Sequence, residues 1–284
     1  MMFDIFNSEA FLPFTTVAVL IFGMLTGSFL NVVIYRIPLG KSIVFPPSSC
    51  TTCSHKITWY ENIPVISWIF LRGKCSGCGQ KISAIYPMIE LLNGFLYVLA
   101  FLRFGVSPEL PFVFYFLSAL TATAIIDFKS QDVYSLIVLP LIVFGVARAF
   151  FSTEISWLES LVGAAVGGGI LLLAIAIFYI VTKKIGMGLG DVYILAAIGA
   201  FTGAKFIPLI LLTACLAGIV FFFIAKLIFR KKIIAHNLKK EDLNTDNEKD
   251  LENAIYFGPF LVVAGIIVLL CPSMYLNLIV EINF

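Results

Sequence analysis

Residues 10–35 are 26 consecutive residues without a charge. A bilayer is crossed by about 20 apolar residues in a helix, and this run exceeds that. It is too long for the apolar part of a signal peptide and has no small-residue cleavage site, so it is expected to be a first transmembrane helix. The pattern recurs. Apolar stretches follow at Tyr86–Phe104 (broken by Glu90), Leu110–Ile126, Val133–Phe151 and Ser160–Thr182, and Asn253–Val280 is uncharged. The stretch Val192–Ala225 carries one charge, Lys205, and is too long for one crossing; Gly203 and Pro208 offer a turn that splits it in two. With 60% hydrophobic and 13% charged residues, the chain reads as an all-α polytopic membrane protein of about eight transmembrane helices. The sixth, Gly190–Ala204, is the shortest. Gly23 with Gly27, and Gly163 with Gly167, are four apart and suit close helix contact.

One polar region interrupts this pattern. Residues 36–85 are rich in proline and carry Cys50-x-x-Cys53 and Cys75-x-x-Cys78. Four thiolates on two chelating turns give a zinc ion a closed tetrahedral shell. The alternative is two disulfides or a redox pair. Lysine and arginine decide between them. Arg36, Lys41, Lys56, Arg72, Lys74 and Lys81 share the odd-numbered connections with Lys129, Lys183, Lys184 and the cluster from Arg230 to Lys249, whereas the even side holds only Arg103, Arg148 and Lys205. By the positive-inside rule the odd loops are cytoplasmic and both termini face outward. The cytoplasm is reducing, which favours structural zinc over disulfides. Cys215 and Cys271 lie in apolar runs and are expected only to pack. The mixed-charge stretch at about 230–252 is expected to be a mobile cytoplasmic loop.

Two carboxylates stand at helix mouths. Asp191 ends the glycine-dense Gly186-Met187-Gly188-Leu189-Gly190-Asp191, and Asp127 ends Leu110–Ile126. Charge at a membrane segment points to function by default, although Asp191 also stands where a helix N-cap would. The topology puts both at the cytoplasmic face. Two carboxylates on one water share a proton. The ionised one can then activate water while the protonated one polarises a peptide carbonyl. Asp132 is either a solvated loop charge or the true partner of Asp191, and a cation path is a further alternative. No GxSxG, HExxH or P-loop is present, so serine, zincin and nucleotide chemistry have no support. No nucleic-acid partner is expected.

These residues resemble the bacterial type IV prepilin leader peptidases with N-methyltransferase activity, GxGD-type intramembrane aspartyl proteases. The resemblance rests on Gly27-Ser28-Phe29-Leu30-Asn31-Val32-Val33-Ile34-Tyr35-Arg36, on Pro47-Ser48-Ser49-Cys50 and both cysteine pairs, on Asn62-Ile63-Pro64-Val65-Ile66-Ser67-Trp68, and on Gly73-Lys74-Cys75. It extends to Tyr86-Pro87-Met88-Ile89-Glu90, the turn ending at Asp191, and Phe257-Gly258-Pro259-Phe260. It implies an enzyme of the bacterial inner membrane that uses Asp127 and Asp191 to cut the leader from prepilins or pseudopilins at the cytoplasmic face. It also implies methylation of the new N-terminus with S-adenosylmethionine, by a half associated with the cysteine domain. The resulting division is a first helix at 1–35, a four-cysteine zinc domain at 36–85 and a peptidase domain at 86–284. Arg36 and Glu90 flank the cysteine domain and are the candidates for cofactor binding.

Two positions depart from the family pattern. Val133-Tyr134-Ser135 stands where the family has Leu-Pro-Asp, and Tyr193 stands where it has lysine. Neither removes a catalytic carboxylate. The competing functions are a peptidase without methyl transfer, and a non-proteolytic scaffold or cation transporter that uses the aspartate pair.

Overall fold

A computed structural model describes residues 10–183, 188–237 and 257–272, with the backbone alone for 225–237. It is helical: α1 Leu12–Arg36, α2 Ile66–Phe70, α3 Ile85–Phe104, α4 Leu110–Ser130, α5 Ser135–Ala149, α6 Trp157–Thr182, α7 Leu189–Thr202, α8 Ile207–Asn237 and α9 Gly258–Leu270. Five apolar segments are long enough to cross a membrane: α1, α3, α4, α6 and Ala204–Ile224. Helices α5, α7 and α9 are shorter.

Local sequence sets the helix ends. Proline stands in the first turn of α1, α4 and α9, where its missing N–H costs nothing. Ser156 and Glu159 cap α6 reciprocally. Helix α4 stops at Gln131, which takes a left-handed φ of +61° and donates its N–H to the Asp127 carbonyl. Gly203, at φ +83°, breaks α7 from α8. Helix α7 begins at Leu189, one residue earlier than the sequence suggests, and ends at Thr202. Helix α8 runs on to Asn237. Residues 230–237 are therefore helical and not loop; the rest of the stretch to 252 lies outside the described residues, as does the segment beyond 272 of the last apolar run.

Helices α4 and α7 form the centre. At about 1.5 Å per residue, the 14 residues of α7 fall short of the bilayer's apolar thickness. Protein surrounds the helix instead, and Ile194 to Thr202 are all buried. Two contacts depend on the absence of a side chain. A Cβ on Gly23 would lie 2.7 Å from the Gly94 Cα, and a Cβ on Gly163 would run into the Gly199 carbonyl oxygen. These pairs let α1 meet α3, and α6 meet α7, backbone to backbone. Asn93 of α3 donates to the Gly23 carbonyl and to Thr26 Oγ1, both at 2.7 Å, and accepts from Ser118 of α4 at 3.0 Å. That network joins α1, α3 and α4 through the apolar interior.

One end of the bundle is tied by charge. Arg148, in the last turn of α5, is only 1% exposed, although its sequence position suggests a loop cation. Its Nε and Nη2 reach Glu109 Oε2 at 2.9 Å, and its Nη1 donates to the Phe201 carbonyl at the end of α7 at 2.8 Å. Arg103 pairs with Glu154 at 2.7 Å beside it. A buried charge needs such partners.

Candidate active site and cysteine centre

The opposite end of the bundle brings three helix termini together: the last turn of α4 and the first turns of α7 and α9. Asp127 continues the buried stripe Val113, Leu117, Leu120 and Thr123 along α4. Asp191 lies in the first turn of α7, whose N-cap is Gly188; the aspartate is not itself the cap. Both side chains point at Gly258, the first residue of α9. A Cβ on Gly258 would lie 3.2 Å from Asp191 Oδ1 and would run into Asp127 Oδ2. The two carboxylates thus face one small gap between three helices. Asp127 is buried and Asp191 half-buried, while Asp132 is exposed beyond the end of α4.

The glycines have specific reasons. A Cβ on Gly190 would lie 2.5 Å from the Val133 Cβ, so the turn before Asp191 closes only with glycine there. Val133 belongs to the segment that departs from the family pattern, and it forms the wall for this turn. Tyr193 packs against the core. Gly186 and Met187 lie outside the described residues. Gly258 appears in the sequence only as part of a motif; its role becomes visible when α9 is seen to start against the aspartates.

The cysteines form a second site. All four Sγ atoms lie within 4.8 Å of one another. Cys50 is 3.9 Å from Cys78, and Cys53 is 3.9 Å from Cys75. Tetrahedral zinc with Zn–S bonds of about 2.3 Å needs sulfurs about 3.8 Å apart, so the donor set fits the ion. The site is built from two copies of one turn. Cys50 N–H donates to the His55 carbonyl at 2.9 Å, and Cys75 N–H to the Gln80 carbonyl at 2.8 Å. Ser49 bridges Lys56 as Lys74 bridges Lys81. Ser54 and Gly79 hold the matching positive φ, +58° and +71°. Amide N–H groups of Cys53 and Thr52 aimed at Cys50 bring its thiol down to about 6, whereas at Cys53 the His55 amide is outweighed by the neighbouring Cys78 thiol and by burial, which push that thiol up. Glu61 braces the pair of turns. It accepts from Ser76 and from the Thr58 amide and hydroxyl, and it meets His55 Nε2 at 3.2 Å. The Ser76 hydroxyl and the Thr58 donors hold its carboxyl down at about 2. The Thr58-x-x-Glu61 spacing is that of a capping box and signals the Thr58 half of this brace; nothing in the spacing points to Ser76 or His55.

Arg36 and Glu90 are both engaged in structure. Arg36 donates to the Ser42 and Pro46 carbonyls at 2.9 and 2.7 Å. It lines a cleft of ≈ 270 Å³ between α1 and residues 43–48, which Ser28, Phe29 and Asn62 also line. Glu90 is buried in α3, accepts the Val65 N–H at 2.7 Å and bonds Ser28.

Two family models match the chain: the bacterial peptidase A24 N-terminal domain over residues 21–104, and the type IV leader peptidase family over residues 114–223. The first takes in most of α1, the cysteine segment and α3. Three similar proteins are each named prepilin leader peptidase/N-methyltransferase. That of Dichelobacter nodosus is 33% identical over 272 residues, 86% of this chain and 87% of its own. That of Pseudomonas putida is 33% identical over 280 residues, 90% of each. That of Myxococcus xanthus is 39% identical over 208 residues, 73% of this chain and 62% of its own, so the chain spans less than two thirds of that relative. No solved structure matches. The chain belongs to the type IV leader peptidase family.

Proposed function

We propose that Asp127 and Asp191 are the catalytic pair of a membrane aspartyl endopeptidase that removes the leader of prepilins or pseudopilins, and that the same chain then N-methylates the new terminus. The observation that carries this reading is the convergence of both carboxylates on Gly258. The ionised carboxylate takes a proton from water, and the resulting hydroxide attacks the scissile carbonyl carbon. The protonated partner gives its proton to the carbonyl oxygen. Collapse of the tetrahedral intermediate breaks the C–N bond; the leaving amine takes the proton that came from water, and a hydroxyl of the intermediate returns its proton to the other carboxylate, restoring the singly protonated pair.

Zinc is the metal of the four cysteines and is structural, because four protein thiolates leave no open position. The methyl donor, S-adenosylmethionine, supplies an electrophilic methyl group when bound. The cleft beside Arg36 is lined by its guanidinium-bearing side chain, by the Phe29 ring and by Asn62 and Ser48, groups that could meet the carboxylate, the base and the hydroxyls of such a donor. Arg36 and Glu90 shape that region by holding its walls. The chain divides into a first helix (1–35), a cysteine domain carrying methyl transfer (36–85) and a peptidase domain (86–284). All eight apolar helices cross or enter the inner membrane, with the aspartates and cysteines cytoplasmic and both termini outward, as the lysine and arginine distribution favours.

Co-expression with a prepilin followed by intact-mass analysis tests this. The expected product lacks its leader and carries one added methyl group. A cleaved, unmethylated product would leave the peptidase alone, and uncleaved prepilin would overturn the reading.

A further inference from the structure

The cysteine segment carries a set of large apolar side chains that the zinc turns and the aspartate site leave unused. Trp59 is 81% exposed and Phe70 82%, and Tyr60, Ile66 and Ile69 are exposed with them. Ile66, Ile69 and Phe70 are spaced three and four apart, so they share one face of α2. The 3-10 turn Trp59–Asn62 packs on α2, and the Trp59 and Tyr60 rings meet edge to face at 5.8 Å. The opposite side of α2 turns inward, where Trp68 Nε1 donates to the Ile82 carbonyl at 3.2 Å.

The height of this face is fixed by Glu90. That residue is five positions into α3, about 7 Å from its first residue at 1.5 Å per residue. Its side chain leans back toward the start of the helix, as side chains on helices do. The Val65 amide it accepts is therefore level with the first turn of α3. That turn already shows lipid-type side chains outward: Ile85 and Met88 are exposed, then Leu91 and Leu92. Asn31 of α1 donates to the Tyr86 carbonyl at 3.2 Å, which ties this first turn of α3 to α1. The latch is held against backbone strain. Val65 takes φ +61° and ψ −49°, and Ile66 N–H closes a three-residue turn onto the Pro64 carbonyl at 2.5 Å. A β-branched residue rarely adopts this conformation.

We infer that α2 and the Trp59–Asn62 turn are an interfacial anchor that lays the cysteine segment onto the leaflet from which α1 and α3 emerge. The partner is the host bilayer at the headgroup and upper acyl level, with anionic lipid favoured. An apolar face set about 5–10 Å into the headgroup boundary, with tryptophan and tyrosine at its edge, is the geometry of such anchors. Charge complements it: Lys56 precedes the face and Arg72 and Lys74 follow it, at the surface of the segment. This inference does not depend on the aspartate chemistry.

The full chain in nanodiscs containing phosphatidylglycerol tests it. Tryptophan emission is compared between the wild type and Trp59→Phe, using phosphatidylcholine brominated near the top or near the middle of the acyl chain. The difference signal of Trp59 should be quenched several-fold more by the shallow bromines and shielded from aqueous iodide. The double substitution Ile69→Ser with Phe70→Ser should restore iodide access while zinc content stays the same, which separates lost anchoring from lost folding. Trp59 open to iodide in the bilayer would overturn the inference. Shielding that appears only when a prepilin is added would overturn it too, in favour of a substrate platform.

Discussion

Asp127 and Asp191 come from different helices and present one carboxylate oxygen each to the same backbone position, Gly258. Neutralising either should abolish cleavage. Asparagine keeps the size and most of the hydrogen bonding of aspartate but cannot ionise. Asp127→Asn and Asp191→Asn should each lose roughly 10²–10⁴-fold or more in leader cleavage, the scale of general acid–base catalysis. The double variant should be no worse than the singles, because one step uses both. Asp132→Asn should cleave at near-normal rate. In vitro cleavage of a prepilin by purified variants decides this, and near-normal cleavage by both single variants would remove the protease reading.

Gly258→Ala tests the gap itself. The added methyl group would overlap Asp127 Oδ2 and crowd Asp191. A displacement of about 1 Å at a reacting group can cost on the order of 10²-fold. The expected outcome is a loss of that size in kcat with membrane insertion unchanged. Normal turnover would mean that the aspartates work in an arrangement away from Gly258.

The cysteine centre should bind about one zinc per chain, as the tetrahedral thiolate set requires. Cys50→Ser should release the metal and loosen residues 36–85, measured by metal content and by proteolysis of the cysteine segment. Methylation should fall further than cleavage. Zinc-free protein with full methylation would refute the assignment.

Acid should loosen the same segment through Glu61. Its carboxyl is held at about 2, below the usual value of 4.5. A depressed carboxylate contributes stability that is present above about 4.5 and lost as pH falls toward 2. Trp68 fluorescence, followed over this window, should show the loss in the wild type. Glu61→Gln should be weaker at neutral pH and flatter below about 4.5. Parallel pH profiles for the two proteins would contradict the sign.

At the other end of the bundle, Arg148→Met should strand Glu109 as an unpaired buried charge. Removing one partner of a buried pair costs about 3–5 kcal/mol. Thermal unfolding in detergent should show that loss, and adding Glu109→Gln should recover part of it. Cleavage at temperatures below unfolding should be little changed, since these residues lie away from the aspartates.

Much of the architecture was legible because hydropathy is a length constraint. Uncharged runs announced α1, α4 and α6, an apolar stretch broken by Glu90 announced α3, and Gly203 announced the break between α7 and α8. The span Gly190–Ala204 lies within two residues of the observed 14-residue α7, but periodicity could not show that protein walls it, because such a helix reads like part of a long apolar run. Helix α8 outlasted its apolar stretch because lysine and arginine are good helix formers and charge alone does not end a helix. The cysteine cluster was legible from spacing, since chelating turns are local. The reach of Glu61 to Ser76 and the Arg148–Glu109 pair were not, because both are contacts between separate segments with no periodic signal. Two aspartates at one end followed from topology. Their shared approach to Gly258 depends on lateral helix packing, which no pattern along the chain encodes.

The two matching cysteine turns have a consequence for biosynthesis. Every sulfur ligand precedes residue 85, where α3 begins. Domains complete themselves in the order they leave the ribosome, at about 5–20 residues per second. A metal held by these cysteines would close its centre while α1 is the only long apolar helix complete. Helix α3 would then arrive against a partner that is already rigid, with Glu90 meeting the Val65 amide as it docks. Metal supply during translation would in that case matter for the packing of the helices that follow, and not only for the cysteine segment.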